Sequence, residues 1–265
     1  MQGVLKGTGQ WLLFDPIFKK WKDDSASSVL WLHGIPGSGK SKLVYVFCMP
    51  NFDLTTAKIF SSVVIEDALA RYKAGDSPQP VFFYCSRNPA ELTRSDPQAI
   101  LASLARQLSC LEPGEALLKP TADLFNKMEK EGFASGPLQM DESLTLVLQL
   151  IAQYPLTTIV IDAMDECNPE KRHELLKALE QILQNSSSLV KIFVSSRNDQ
   201  DIVLRFRHYP NLEINSQRNS DDIVRFINDQ TQQLIQDGKL LQYSSSKTEM
   251  KKLIVDKVIE DAAGM

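Results

Sequence analysis

The sequence predicts an α/β fold in which helices cover both faces of a mostly parallel sheet. Two observations indicate it. Short apolar runs alternate with longer stretches of helical periodicity. A glycine-rich sequence of phosphate-binding type also follows the first apolar run directly. A chain of 265 residues is long enough for one large α/β domain, or for one domain with a small appendage.

The apolar runs predict five strands, at residues 29–33, 81–85, 158–162, 190–195 and 212–214. Helices are predicted at 97–110, with Asp96 as N-cap and Pro97 at the first helical position, and at 141–154. A third helix is predicted at 169–183, with Asn168 as its cap. From residue 220 onward the pattern is helical only, so a separate helical region is predicted there.

Composition argues against several classes of function. A net charge of −4 leaves no excess of basic residues for a nucleic-acid-binding face. The four cysteines and three histidines are scattered, which gives no metal-ligand spacing. No apolar run is long enough to span a bilayer and no signal peptide is recognisable, so we expect a cytoplasmic protein without a membrane partner.

The glycine-rich sequence at residues 34–41, GIPGSGKS, fits the pattern G-x-x-x-x-G-K-[ST] in full. Glycines allow backbone N–H groups to point at phosphate oxygens, and the N-terminus of a following helix adds further donors. Lys40 would reach the terminal phosphates and Ser41 would ligate Mg²⁺. The candidate cofactor-binding residues are Gly34, Pro36, Gly37, Ser38, Gly39, Lys40 and Ser41.

An acidic group ends the third apolar run, in the sequence TIVIDAMDE at residues 158–166. Asp162 is the second candidate for the metal site, because a carboxylate at the end of a buried strand is costly without a partner. Asp165 and Glu166 follow closely, and one of them could act as general base towards a water molecule. The alternative is that both simply cap the helix predicted near residue 169.

The fourth apolar run ends in a cation, in the sequence KIFVSSR at residues 191–197. Arg197 could detect or stabilise the terminal phosphate of a nucleotide and is the third catalytic candidate. The alternative is an ordinary solvated loop arginine.

Taken together, these segments resemble the NACHT group of signal-transduction P-loop NTPases (the STAND class). The resemblance is strongest to fungal proteins whose nephrocystin 3-like N-terminal module usually precedes ankyrin or other repeats. The matching strings are GTGQWL at 7–12 with Phe18 and Trp21, FFYC at 82–85, RSDP at 94–97, SLARQL at 103–108, DAMDE at 162–166, FVSSR at 193–197 and NSDDIVRFI at 219–227.

The resemblance implies a three-layer α/β/α sandwich with strand order 5-1-4-3-2, which places the arginine strand between the phosphate-loop strand and the acidic strand. It implies an N-terminal segment at 1–28, a nucleotide-binding core at 29–218, and at 219–265 the beginning of a helical domain that continues beyond the chain. It further implies a switch that holds ADP or ATP with Mg²⁺, hydrolyses ATP slowly at most, and self-associates through the module in the full-length protein.

The sequence departs from the family after the phosphate loop. Relatives continue from this loop into one helix, but Pro50 cannot continue such a helix and residues 44–49 are apolar on every side. When residues 44–60 are removed, Leu43, Val64, Ala68 and Leu69 fall at helical spacing. Residues 44–60 are therefore either an in-frame insertion, such as an unspliced intron in a gene prediction, or a natural surface loop after a helix that ends near Cys48.

Two other functions compete with the switch. A P-loop kinase acting on a small acceptor would need a lid with arginines, and residues 111–140 contain none. An inactive interaction fragment, its site disrupted by residues 44–60, is the other alternative.

Overall fold

The computed structural model describes residues 9–34, 63–110, 116–132, 136–214 and 220–263. All structural statements below concern these residues. The predicted phosphate loop beyond Gly34 and the interruption at 44–60 lie outside them. Within the described ranges, no helix has both the length and the apolar character needed to cross a bilayer.

Five parallel strands form one sheet: β1 (Ser28–Gly34), β2 (Val81–Tyr84), β3 (Leu156–Asp162), β4 (Leu189–Ser196) and β5 (Asn211–Ile214). Their order is β5-β1-β4-β3-β2. All four neighbouring pairs are parallel. The five predicted strands and the order 5-1-4-3-2 are confirmed, with β4 lying between β1 and β3.

The helices are α1 (Trp11–Phe14), α2 (Pro16–Asp23), α3 (Val63–Lys73), α4 (Pro97–Leu108), α5 (Lys119–Lys130), α6 (Met140–Ile151), α7 (Arg172–Asn185), α8 (Gln200–Phe206), α9 (Ser220–Gln236) and α10 (Lys247–Ala263). Two 3₁₀ turns, Pro89–Arg94 and Met164–Glu166, lie between them. The helices predicted near 97, 141 and 220 are thereby confirmed.

The two faces of the sheet carry separate apolar clusters, as period-two alternation requires. In β1, Val29 and Trp31 pack with α4, α6, α7 and α8 on one face. Leu30 and Leu32 pack with α1, α2 and α3 on the other. Because helices cover both faces, the predicted three-layer α/β/α sandwich is confirmed.

The N-terminal segment forms part of the second apolar cluster. Pro16 occupies the first position of α2, and the Asp15 carboxylate accepts a hydrogen bond from the Ile17 N–H at 2.8 Å. The helix then buries Phe18 and Trp21 against Phe193 of β4, with ring centroids 6.5 and 6.2 Å from that residue.

One helix start is wrong in the sequence prediction. Residues 169–171 form turns, and α7 begins at Arg172 rather than at Pro169. The Asn168 side chain does accept from the Glu170 N–H at 3.0 Å, as a local turn does. Asn168 therefore shapes the turn before the helix instead of capping it. By contrast, Asp96 caps α4 as predicted, accepting from the Ala99 N–H.

Candidate functional site

The carboxyl ends of β1, β3 and β4 meet at one edge of the sheet. The strand register pairs Leu32 of β1 with Ser195 of β4, and His33 with Ser196. On the other side of β4, Ile161 pairs with Val194. Gly34 and Asp162 therefore leave the sheet on either side of the last residues of β4. Ligands of open α/β sheets bind at this edge, outside the carboxyl ends of the strands.

Asp162 is a nearly buried carboxylate, with 2% of its surface exposed. The Ser195 hydroxyl donates to Asp162 Oδ1 and accepts from the Ala163 N–H at 3.0 Å. Ala163 has φ 52° and ψ 48°, a left-handed conformation that turns the chain sharply after the strand. Ser195 thus orients the carboxylate and stabilises the turn that follows it.

Asp165 lies in the 3₁₀ turn after Asp162 and is held by Arg197. The Arg197 N–H donates to Asp165 Oδ1 at 3.0 Å, and Arg197 Nε lies 3.1 Å from Oδ2. The Asp165 side chain is 8% exposed and that of Arg197 is 51% exposed. Arg197, the residue directly after β4, therefore contacts both carboxylate oxygens of Asp165.

Glu166 is the more accessible of the two acids, with a side chain 33% exposed. Arg197 Nη2 lies 3.5 Å from Glu166 Oε1, and the Arg87 N–H donates to Oε2 at 3.3 Å. The residue preceding α7 is Lys171, and α7 has no side-chain cap. The interpretation of Asp165 and Glu166 as helix caps is thus wrong, because their carboxylates bind Arg197 and Arg87 instead.

Two arginines at this edge were not predicted from the sequence. Arg87 follows β2 and Arg172 begins α7, and their guanidinium groups both donate to the Asp165 carbonyl oxygen. Arg172 is 3% exposed and also binds Asp199 and Asp201. The sequence offered one signal for Arg172, the two acidic residues Asp199 and Asp201 soon after Arg197. By themselves, two such residues indicate only a solvated surface.

The ion pairs at Arg172 hold their charges. Burial would lower the pKa of Arg172, but hydrogen bonds and charge from Asp201 and Asp199 outweigh it, and the pKa lies above its usual value. Burial would likewise raise the pKa of Asp201, but Arg172 overrides this and lowers it. Both partners are therefore ionised at neutral pH.

The thiols of Cys85 and Cys167, near the site, are protonated at neutral pH. Burial raises the pKa of Cys85 well above its usual value, with Cys167 and Asp162 adding to the shift. Burial also raises the pKa of Cys167 to about 11. The thiolate is the nucleophilic form of cysteine. At neutral pH these two residues remain thiols, and nucleophilic cysteine chemistry is not supported.

The donor set fits Mg²⁺ held largely by water and phosphate. In the ranges the structure describes, no group of three His, Cys, Asp or Glu residues is arranged to hold a metal by itself. Mg²⁺ usually keeps several waters and binds through one or two carboxylates together with substrate phosphates. Asp162, an oriented carboxylate at the strand edge, matches that requirement. Ser41 lies outside the described residues.

A separate cavity of about 760 Å³ lies between α5 and α6. Its lining mixes Lys119 and Lys127 with Asp123, Asp141 and Glu142. It includes none of the site residues predicted from the sequence, so it is distinct from the strand edge.

The sheet order, the acidic end of β3 and the GIPGSGKS sequence that continues from β1 together define a NACHT-type P-loop NTPase. The sequence model of the nephrocystin 3 N-terminal family matches residues 7–197, more than half of the chain. The chain belongs to the nephrocystin 3 N-terminal family.

Among characterised proteins, the chain is 27% identical over 242 residues to the vegetative incompatibility protein HET-E-1 of Podospora anserina. The alignment covers 88% of this chain and 16% of that protein, so the chain spans a small part of its relative's length.

Two solved structures match the chain at low sequence identity, with TM-scores below 0.5. The Aeropyrum pernix Orc1 protein, solved in complex with DNA, is 13% identical with a TM-score of 0.48, over 97% of this chain and 66% of that one. Cdc6p from Pyrobaculum aerophilum is 15% identical with a TM-score of 0.47, over 86% and 51%.

Proposed function

We propose that this chain is a nucleotide-binding switch module that binds ATP and ADP with Mg²⁺ and hydrolyses ATP slowly at most. The observation that carries the proposal is the convergence at one edge of Gly34, Asp162 and Arg197. Gly34 and Asp162 end β1 and β3, and Arg197 directly follows β4, so the three residues come from separate parts of the sequence. Their juxtaposition supplies the start of a phosphate loop, a metal-binding acid and a cation at one place.

In this proposal, the backbone N–H groups of residues 34–41 and the Lys40 ammonium bind the phosphates. Ser41 and Asp162 hold Mg²⁺, which would neutralise charge on the phosphate oxygens. Ser195 keeps the Asp162 carboxylate oriented through its hydrogen bond.

Arg197 provides the basis for discrimination between the two nucleotides. Its side chain is half exposed and is shared between Asp165 at 3.1 Å and Glu166 at 3.5 Å. A terminal phosphate would compete with Glu166 for the guanidinium group, whereas ADP has no such phosphate. A ligand that binds one arrangement better shifts the population towards it, so ATP and ADP would favour different states.

Glu166 is the better candidate for the general base. Asp165 has both oxygens occupied by Arg197, while Glu166 is more exposed and its contact with Arg197 is longer. We expect Glu166→Gln to lower single-turnover ATP hydrolysis about 100-fold or more, while ATP affinity is equal or higher because a competitor for Arg197 has been removed. Asp165→Asn is expected to weaken the placement of Arg197 and to change ATP affinity as well. Equal effects of the two variants on affinity and rate would contradict this division of roles.

The proposal is tested directly by the phosphate-loop lysine. Binding of labelled ATP and ADP to the wild type, to Lys40→Ala and to Lys177→Ala would be measured in Mg²⁺. Lys177 lies on the exposed face of α7 and is a matched control. We expect Lys40→Ala to weaken both nucleotides by roughly 100-fold, because charge-assisted phosphate contacts are lost. Lys177→Ala should bind as the wild type does.

The alternatives give different results in the same assay. Negligible binding in all three proteins would reject the switch and favour the inactive fragment. Transfer of labelled phosphate to a small acceptor, rather than to water, would favour the kinase. Sequencing of the transcript across residues 44–60 separately decides between an insertion of the gene prediction and a natural loop.

The domain boundaries and the assembly belong to the same proposal. We take residues 1–28 as the N-terminal segment, 29–218 as the core and 219–265 as the beginning of a helical domain. The Gly9 N–H donates to the Asp222 carboxylate of α9 at 2.6 Å, so the N-terminal segment contacts the C-terminal helical region. Self-association through the module is proposed for the longer protein, where a nucleotide-driven change would be transmitted.

A further inference from the structure

Arg172 is a buried cation close to the strand edge, with 3% of its side chain exposed. Its Nε and Nη2 donate to the two carboxylate oxygens of Asp201 at 2.8 and 2.6 Å. Nη2 also donates to Asp199 at 2.9 Å, and Nη1 donates to the Asp165 carbonyl at 3.0 Å. A planar guanidinium group satisfies this set of acceptors in a way that an ammonium group does not.

The contacts of Arg172 join the two segments that carry the site. The Asp165 carbonyl belongs to the acidic turn after β3, which also contains Glu166. Asp199 directly precedes α8 and Asp201 lies in its first turn, two and four residues after Arg197. Asp199 does not cap α8 with its side chain, because its carboxylate binds Arg172 instead. Arg172 therefore holds together the acidic turn after β3 and the segment that follows Arg197.

Asp165 connects Arg172 to Arg197, a residue of the proposed nucleotide site. Asp165 holds Arg197 through its carboxylate and Arg172 through its carbonyl oxygen, so the two arginines share one turn. Displacements on the order of 1 Å can change the rate of a positioned reaction about 100-fold. A buried connection of this kind is suited to limiting such displacements.

We propose that Arg172 is a positioning residue that sets the place of Arg197 relative to the acidic turn, without itself touching the nucleotide. This inference rests on the proposed function of the strand edge. It predicts that the contribution of Arg197 to ATP binding depends on an intact Arg172.

The test is a double-mutant cycle on Mg-ATP affinity in the 265-residue chain. The proteins are the wild type, Arg197→Ala, Arg172→Lys and the double variant. Arg172→Lys keeps the charge and removes the bidentate geometry. We expect the loss of affinity caused by Arg197→Ala to be smaller by about threefold or more in the Arg172→Lys background.

The matched control is Arg205→Lys, because Arg205 also binds a carboxylate, Glu180, at 2.5 Å, but from α8 to α7 away from the acidic turn. Arg205→Lys should leave the effect of Arg197→Ala unchanged. If circular dichroism shows that Arg172→Lys is unfolded, Asp199→Asn takes its place in the cycle. Asp199 binds Arg172 but its side chain is 38% exposed, so this substitution disturbs the core less.

Strict additivity of Arg172→Lys and Arg197→Ala would overturn the inference, and so would an Arg197→Ala variant that binds ATP as the wild type does. If Lys40→Ala still weakens binding, additivity leaves the proposed function intact, whereas an Arg197→Ala variant that binds ATP as the wild type does leaves nucleotide binding intact and removes only the discrimination assigned to Arg197. Absence of nucleotide binding by the wild type would instead reject the proposed function itself.

Discussion

Asp162→Asn is expected to abolish most of the Mg²⁺-dependent gain in nucleotide affinity, on the order of 10–100-fold. The substitution removes the charge but keeps an oxygen that can accept from Ser195, so the local geometry is preserved. The carboxylate is 2% exposed, and keeping a charge buried costs desolvation free energy, so a neutral amide of the same shape is expected to leave the stability equal or higher. The measurement is nucleotide titration in Mg²⁺ and in EDTA, with a thermal melt of each protein.

The combination of weaker binding and unchanged or higher stability distinguishes a functional carboxylate from a structural one. Asp123→Asn is the matched control, because Asp123 is exposed on α5 and lies at the separate cavity. It should change neither property. A variant Asp162→Asn that melts much earlier, with Mg²⁺ dependence intact, would contradict the metal-binding role.

Phe193→Ala is expected to destabilise the protein by about 3–5 kcal/mol, the usual range for a buried Phe replaced by Ala. Phe193 is fully buried in the middle of β4 and packs edge-on against Phe18 and Trp21. Its removal leaves a cavity between the sheet and α2. Urea unfolding followed by fluorescence should show a lower midpoint with little change in slope.

The same experiment tests whether the N-terminal segment is part of the folded unit. Phe125→Ala, at a side chain that is 52% exposed on α5, should stay within about 0.5 kcal/mol of the wild type. Trp21→Ala should destabilise strongly and non-additively with Phe193→Ala, because the two rings are in contact. Additive effects, or a Trp21→Ala variant as stable as the wild type, would show that α2 is not packed as the structure has it.

The strands could be predicted because their signal is local. Each run of apolar residues fills two buried faces of a parallel sheet, so the sequence VLWLH at 29–33 or TIVID at 158–162 needs no distant partner to be recognised. The order of the strands is different, because it depends on the crossovers and followed from the family resemblance. The resemblance correctly placed β4 between β1 and β3.

The contacts of the site could not be predicted, because they join residues far apart in sequence. Arg172 and Asp201 are separated by 29 residues, and Arg87 and Asp165 by 78. Local rules also misplaced the start of α7, since an Asn-Pro pair is a strong start signal and the turn at 169–171 postpones the helix. Arg172 begins the helix where its side chain can reach Asp199 and Asp201.

For Arg197, the structure adds contacts that the sequence did not predict. The sequence placed a cation at the end of the fourth strand as a possible phosphate contact. The structure pairs that cation with the two neighbouring acids, and the proposed competition between phosphate and Glu166 rests on this pairing. The proposed preference for one nucleotide state follows from this competition.

Hydrogen–deuterium exchange of the 265-residue chain, with and without Mg-ATP, tests most directly whether three strand ends form one nucleotide site. Backbone N–H groups that bind phosphate, or that are fixed around it, exchange more slowly. We predict simultaneous protection of residues 34–41, 162–167 and 195–199 on nucleotide addition, and none of it in Lys40→Ala. Protection confined to the α5–α6 cavity, with these three segments unchanged, would contradict the account.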